Sequence, residues 1–199
     1  MVITKRIKRM KAIERIIAAA AFAAAFCFAG AAQTYKLKAP IADRPALLTS
    51  AGQSADVEMV KVLMNRIKVP YTMNAQIKAG EFKASGAKSI VVAIGGSSKG
   101  LGAAGVSSDV ELARIKAVIA EAKKAGCRII GLHIGGEARR GQLSDVFIRD
   151  IVPLCDYVIV VSEGNKDGLI TQLCQKANIP LDSVDKISAV SGPLAKAFK

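Results

Sequence analysis

The 199-residue chain has no tryptophan, one histidine, three tyrosines and four cysteines, and its 16 acidic residues face 29 basic ones. Each scarcity removes a class of chemistry. One histidine, His133, with cysteines dispersed at 27, 127, 155 and 174, makes neither a C-x-x-C pair nor a Cys/His zinc spacing. No segment has the oxygen-ligand density of a calcium loop, so no metal is expected, and no other cofactor. Aromatics are too few to stud a basic groove, so nucleic acid is not an expected partner. The chain also lacks G-x-x-x-x-G-K-[ST], which excludes a Walker phosphate loop.

What is abundant is positive charge and apolar sequence. Residues 1–15 carry Lys5, Arg6, Lys8, Arg9, Lys11 and Arg15, followed by the uncharged run IIAAAAFAAAFCFAGAA at 16–32. A basic region, an apolar region and the small residues Ala29-Gly30-Ala31 are the parts of an export signal, with cleavage expected after Ala31. The alternative is an uncleaved membrane anchor, because 17 uncharged residues reach the lower limit for crossing a bilayer. A secreted or periplasmic location follows from the first reading, and membrane contact only through the segment itself from the second. Removing residues 1–31 takes away six basic residues and one acidic residue, Glu14, and lowers the formal net charge from +13 to +8. The remaining domain should attract anions at long range: small anionic ligands, or anionic material of the cell envelope.

Residues 32–45 hold two prolines and no sustained period, as in a linker or extended arm. From Ala46 to Lys199 short apolar runs alternate with amphipathic helical patterns. This is the pattern of a single three-layer α/β/α domain with a mostly parallel sheet of about five or six strands, Rossmann-like or flavodoxin-like. Strands are expected at ALLTSA, PYTMN (70–74), KSIVVAIGG (88–96), CRIIGLHIGG (127–136), DYVIVVSEGN (156–165) and SVDKISAV (183–190). The uninterrupted run Ile90–Ile94 indicates burial on both faces. Val57, Val60, Met64 and Ile67 give one helix its buried stripe, with Ser54 as a candidate cap. Ser108 and Glu111 have the S-x-x-E spacing of a capping box, and Leu143, Val146, Phe147 and Ile151 are the expected inward residues of the 141–151 helix. Cys127, Cys155 and Cys174 read as small buried hydrophobes, or as one disulfide and one free thiol.

In such sheets ligands sit beyond the carboxyl ends of the strands. Four glycine-bearing segments occupy that edge: TSAGQS (49–54), GGSSKGLGAAG (95–105), HIGGEARRG (133–141) and SEGNKDG (162–168). Lys99, Arg139 and Arg140 are the candidate contacts to negative charge. Ser50, Gln53, Ser97, Ser98, His133 and Asn165 are candidate hydrogen-bonding groups, and the amides at Gly95, Gly96, Gly135 and Gly136 complete the expected pocket. The leading expectation is non-enzymatic binding of a small anionic or polyhydroxylated ligand. A hydrolase would need Ser50, Ser54 or Ser97 as nucleophile, His133 as base and Asp145 or Asp167 as orienter. A basic interaction module for a cell-envelope partner is the third reading.

Gly96-Ser97-Ser98-Lys99-Gly100-Leu101-Gly102 fits G-x-x-x-G-x-G and resembles the nucleotide turn of short-chain dehydrogenases. That family carries its turn after the first strand, whereas a strand and a helix precede this one. No tyrosine has a lysine four residues on: Tyr35, Tyr71 and Tyr157 are followed there by Ala39, Ala75 and Val161. The S-x-x-E spacing also starts the next helix only near Ser108, which leaves residues 95–107 as an extended loop and no helix end under a pyrophosphate. A broader resemblance rests on LLTSAGQSADVEMVK, GGSSKGLGAAGVS, HIGGEARRGQLSD and DYVIVVSEGNKDG, which together resemble an uncharacterised family of exported bacterial proteins. It implies a signal peptide and one compact domain, and no activity.

Overall fold

The computed structural model describes residues 36–199. The expected signal segment, Cys27 and the first residues of the expected arm lie outside the described residues. Six strands form one sheet: β1 (Ala46–Ala51), β2 (Tyr71–Met73), β3 (Ser89–Ile94), β4 (Arg128–His133), β5 (Tyr157–Val161) and β6 (Leu181–Val184). All pairings are parallel, in the order β2-β1-β3-β4-β5-β6. The chain steps outward from β1 to β2, then returns past β1 to β3, so strand order reverses between β1 and β3.

Helices α1 (Asp56–Arg66), α2 (Ser98–Ala104), α3 (Ser108–Lys124), α4 (Gln142–Ile151), α5 (Leu169–Ala177) and α6 (Ser191–Ala197) complete the three layers. Strands β1 and β3 are buried at every position because alternate residues enter different cores. Ile90, Val92 and Ile94 meet Ile115 and Ile119 of α3, Phe147 of α4 and Ile170 of α5. Leu48, Val91 and Ala93 join the core built with Val57, Val60 and Met64 of α1 and Leu194 of α6. The lead-in to β1 is held by backbone bonds: Ile41 and Ala42 amides donate to the Ala197 carbonyl at 2.9 Å, and Lys199 donates to Ala42 at 3.0 Å. No helix among the described residues is long and apolar enough to cross a membrane.

Several local expectations are corrected. The 95–105 segment is not an extended loop, because Ser97 caps α2 by accepting from the Gly100 amide at 3.0 Å. The cap of α3 is Ser107, which accepts from Val110 at 3.3 Å, and Glu111 does not fold back into a capping box. Val146 is 39% exposed, and Ile148 takes the inward place because the buried stripe of α4 runs 143/144, 147/148 and 151. The last strand stops at Val184; a single 3₁₀ turn, Ile187–Val190, replaces its expected second half. Cys127, Cys155 and Cys174 are free thiols, the latter two buried in the core, where desolvation pushes Cys174 up to about 11.

Candidate functional site

At the β1/β3 reversal the segment after β1 and the segment after β3 bond to each other. Gly95 donates to Ala51 at 2.9 Å and Ser97 to Gly52 at 2.9 Å, and Gln53 and Gly96 form an antiparallel bridge. The Gly96 amide donates to Ser144 Oγ at 3.1 Å. Two of the four amides expected to meet a ligand, those of Gly95 and Gly96, are therefore spent on protein acceptors. The glycines permit this interlock: a Cβ at Gly100 would stand 1.9 Å from the Gln53 carbonyl oxygen, and one at Gly52 would stand 2.5 Å from that of Gly95. The usual ligand crevice is closed by main chain.

The two arginines of the β4 segment are also engaged. Arg140 Nε and Nη2 donate to Asp145 at 2.8 and 3.1 Å, Nη1 and Nη2 to Asp167 at 2.9 and 2.8 Å, and Nη1 to the Gly164 carbonyl at 2.7 Å. All five N–H donors are satisfied, so no donor remains for an anion. The bonds from Arg140 hold Asp167 down at about 2 and lower Asp145 as well. Arg139 Nε lies 3.3 Å from Asp56 Oδ1 at the start of α1, where the helix dipole favours a carboxylate.

His133 is 0% exposed, and its Nδ1 sits 2.9 Å from the Ile94 carbonyl. A carbonyl only accepts, which assigns the proton to Nδ1 and leaves Nε2 as a bare lone pair. Nε2 is buried without a hydrogen-bond partner and lies against Gly164. Desolvation lowers the His133 pKa, the backbone bond to Ile94 offsets part of this, and the Arg140 charge lowers it further. The hydrolase arrangement is not assembled, because Asp145 and Asp167 are bonded to Arg140, Ser54 Oγ accepts from the Asp56 amide and Ser97 caps α2. Ser50 Oγ is buried without a partner and bonds no base. Ser98 has the serine position of a G-x-S-x-G spacing over 96–100, which the serines weighed from sequence leave out. It is exposed as the first residue of α2, four residues beyond β3, and is no strand-to-helix elbow.

Open space lies on either side of the closed reversal. A hollow of about 470 Å³ at the ends of β4, β5 and β6 is lined by Gly135, Gly136, Glu163, Asp185 and Lys186 among others. A cleft of about 440 Å³ lies beyond β1 and β2, walled by Ala79, Ala104, Val106 and Val110, with Gln53, Gln76, Lys78, Glu111 and Arg114 as its polar groups. Its floor is a buried ion pair. Glu111, 1% exposed, accepts from Arg114 Nε at 2.7 Å and Nη2 at 2.8 Å, from the Gly52 amide at 3.1 Å and from Gln53 Nε2 at 2.9 Å. Arg114 also donates to the Ile77 and Ser50 carbonyls at 2.7 and 2.6 Å. Gln53 has φ +54°, a left-handed conformation that costs a non-glycine residue on the order of 1 kcal/mol. Its amide nitrogen, shared between Glu111 and the Ala75 carbonyl, holds it there.

The pattern of a known family spans residues 43–198, the whole of the sheet and its helices. The chain belongs to the family described as a domain of unknown function (DUF6305). No curated protein matches it. Among the sequence-derived candidates, the DUF6305 domain brings Gln53 to the cleft and Gly135 and Gly136 to the hollow. Lys99 and Ser98 are exposed on α2, and Asn165 is occupied by Thr171 Oγ1 and the Ile170 amide. Glu111, Arg114 and Lys78 of the DUF6305 cleft are residues that sequence reasoning missed. Their signal was available for Glu111 alone, since it stands four residues before Ile115 on the buried stripe of α3. No cluster of three metal-ligating side chains occurs among the described residues.

Proposed function

We propose that this domain is a non-catalytic binding module that takes a small organic anion with an apolar body in the cleft beside β1. The observation that carries the reading is the pairing of an apolar wall with a rigid polar floor. Val110 is 57% exposed although it faces a concave surface, which is the exposure a ligand would cover. Four of the five N–H groups of Arg114 are fixed by Glu111, Ser50 and Ile77, which leaves one Nη1 hydrogen, and Lys78 adds a cation at the rim. Glu111 neutralises Arg114, so Lys78 supplies the net positive charge that favours a carboxylate over a neutral polyol. The basic and apolar runs of residues 1–31 support export of the domain, with a mature chain beginning at Ala32. Intact mass of the protein recovered from its native cells tests that cleavage directly.

Thermal unfolding against a panel of aliphatic and aromatic carboxylates, phosphate, sulfate and sugars tests the ligand class. A carboxylate at a hundred times its Kd adds about 2.7 kcal/mol of stability, which is roughly 5–10 °C for a domain of this size. Lys78→Glu and Val110→Asp change exposed side chains, so they should remove the shift while leaving the unliganded midpoint near that of the parent. A panel without any shift, or a shift that survives both substitutions, overturns the reading. A shift with sugars alone would overturn the anionic assignment.

A further inference from the structure

We infer that the amino-terminal edge of the sheet, opposite the cleft, is a docking face for an anionic lipid bilayer. In an all-parallel sheet every strand begins at one end, and the helices α1, α3 and α5 that run back finish there too. Cations concentrate at that end. Arg66 closes α1, and Lys123 and Lys124 close α3, where they complement the helix dipoles. Arg44 and Lys88 precede β1 and β3, and no helix dipole accounts for them. These five side chains are exposed, and among the described residues none of them lies within ion-pair distance of a carboxylate.

The acids at the same end are already engaged. Asp43 pairs with Lys199, Asp156 with Arg128 and Asp150 with Lys116, and the Glu121 carboxylate accepts from the Gly80 and Lys83 amides. The surface is continuous across the strands: the Lys88 amide donates to Pro45 at 2.8 Å, and Ser89 Oγ donates to the Asp43 carbonyl at 2.7 Å. A broad surface with an excess of cations, on which Phe82 and Phe198 are buried and the half-buried Tyr71 has its hydroxyl bonded to Asn65, offers little for base stacking and matches lipid headgroups better than nucleic acid.

Residues 36–42 lie along the same end and bring the exposed Lys36 and Lys38 to it. The Lys36 amide bonds Asp182 near the start of β6, and Ala42 bonds the end of α6 next to β1. A bilayer against this end would lie away from the cleft at the opposite edge of the sheet, which would stay open to solvent.

The test uses the full chain and sedimented vesicles of phosphatidylcholine, with or without one third phosphatidylglycerol, at about 0.15 M salt. Two matched double variants, Lys123→Glu with Lys124→Glu and Lys99→Glu with Lys186→Glu, change the net charge equally, the first on the amino edge and the second on the opposite one. Each cation near an anionic surface is worth about fivefold in partitioning, so the first pair should weaken binding to the anionic vesicles by about 25-fold or more, and the second by less than twofold. A milder triple variant, Lys88→Gln, Lys123→Gln and Lys124→Gln, keeps acids off the helix end and should still lose at least tenfold. Equal losses in the two pairs, or no loss in either, overturns the inference. So does an unchanged vesicle affinity accompanied by lost binding to duplex DNA.

Discussion

Replacing Glu111 by alanine tests whether the cleft floor is a stabilised ion pair. The substitution leaves the Arg114 guanidinium, 13% exposed, without its carboxylate, and removes the acceptor of the Gly52 amide and of Gln53 Nε2. An uncompensated buried charge costs about 3–5 kcal/mol. The midpoint should then fall by roughly 6–20 °C, because 1 kcal/mol corresponds to about 2–4 °C at this size. Glu111→Gln keeps the shape and one acceptor oxygen and should cost less. Urea unfolding at neutral pH measures each change, and a double-mutant cycle with Arg114→Met supplies the discriminating quantity. Because each single change strands the other partner, the double variant should cost at least ~2 kcal/mol less than the sum of the two. Additive losses, or a loss below about 1 kcal/mol for Glu111→Ala, would refute the ion pair as the element that holds Gln53 in its left-handed conformation.

Gly100→Ala places a Cβ 1.9 Å from the Gln53 carbonyl and should destabilise by at least ~2 kcal/mol, whereas Gly102→Ala, with nothing within 4 Å, should gain up to about 0.5–1 kcal/mol of helix propensity; chemical denaturation of both variants checks the contrast. His133 has a folded pKa below its unfolded value, so its contribution is complete above about 6.5 and is lost as pH falls through that value, while the unfolded chain takes up the proton first. The slope of stability against pH between about 5 and 7 should therefore flatten in His133→Leu; an unchanged slope would contradict the burial of a neutral ring. Asp167, held at about 2 by Arg140, contributes stability that is present above about 4 and is lost as pH falls toward 2. Arg140→Ala should remove that acid limb and raise the proteolysis rate of the 162–168 segment; parent-like acid unfolding would show that the pair is screened.

The strands were legible because burial on both faces leaves an uninterrupted apolar run, as at Ile90–Ile94, and because turn residues close each run. Strand order was not, since no residue of β2 states on which side of β1 it pairs. Glu111 shows why a correct spacing yields a wrong role. Ser108 and Glu111 satisfy a local capping rule, yet tertiary acceptors and donors outrank a solvent-exposed cap, and Glu111 turns inward to Gly52 and Arg114. The cap passes to the adjacent Ser107, a shift of one residue that side-chain chemistry alone does not decide. Arg140 illustrates the long-range case. Its cationic group is plain in the sequence, but Asp167, 27 residues on, consumes the donors that an anion would need.

The glycine-rich segment after β3 has the spacing of a nucleotide turn because close approach of any backbone requires the same absence of Cβ. Whether the approaching group is a pyrophosphate or another loop is decided by where the amides point. Here the Gly95, Gly96 and Ser97 amides end on Ala51, Ser144 and Gly52, so the approach is protein to protein. Closing the reversal this way moves Gln53, with its left-handed backbone, to the β2 side, over Glu111 and against the apolar wall of Val106 and Val110. The interlock and the cleft are thus two consequences of one packing choice. A change that opens the first, such as Gly100→Ala, should also disturb the second, and loss of ligand-induced stabilisation in that variant beyond its own destabilisation would reveal the coupling.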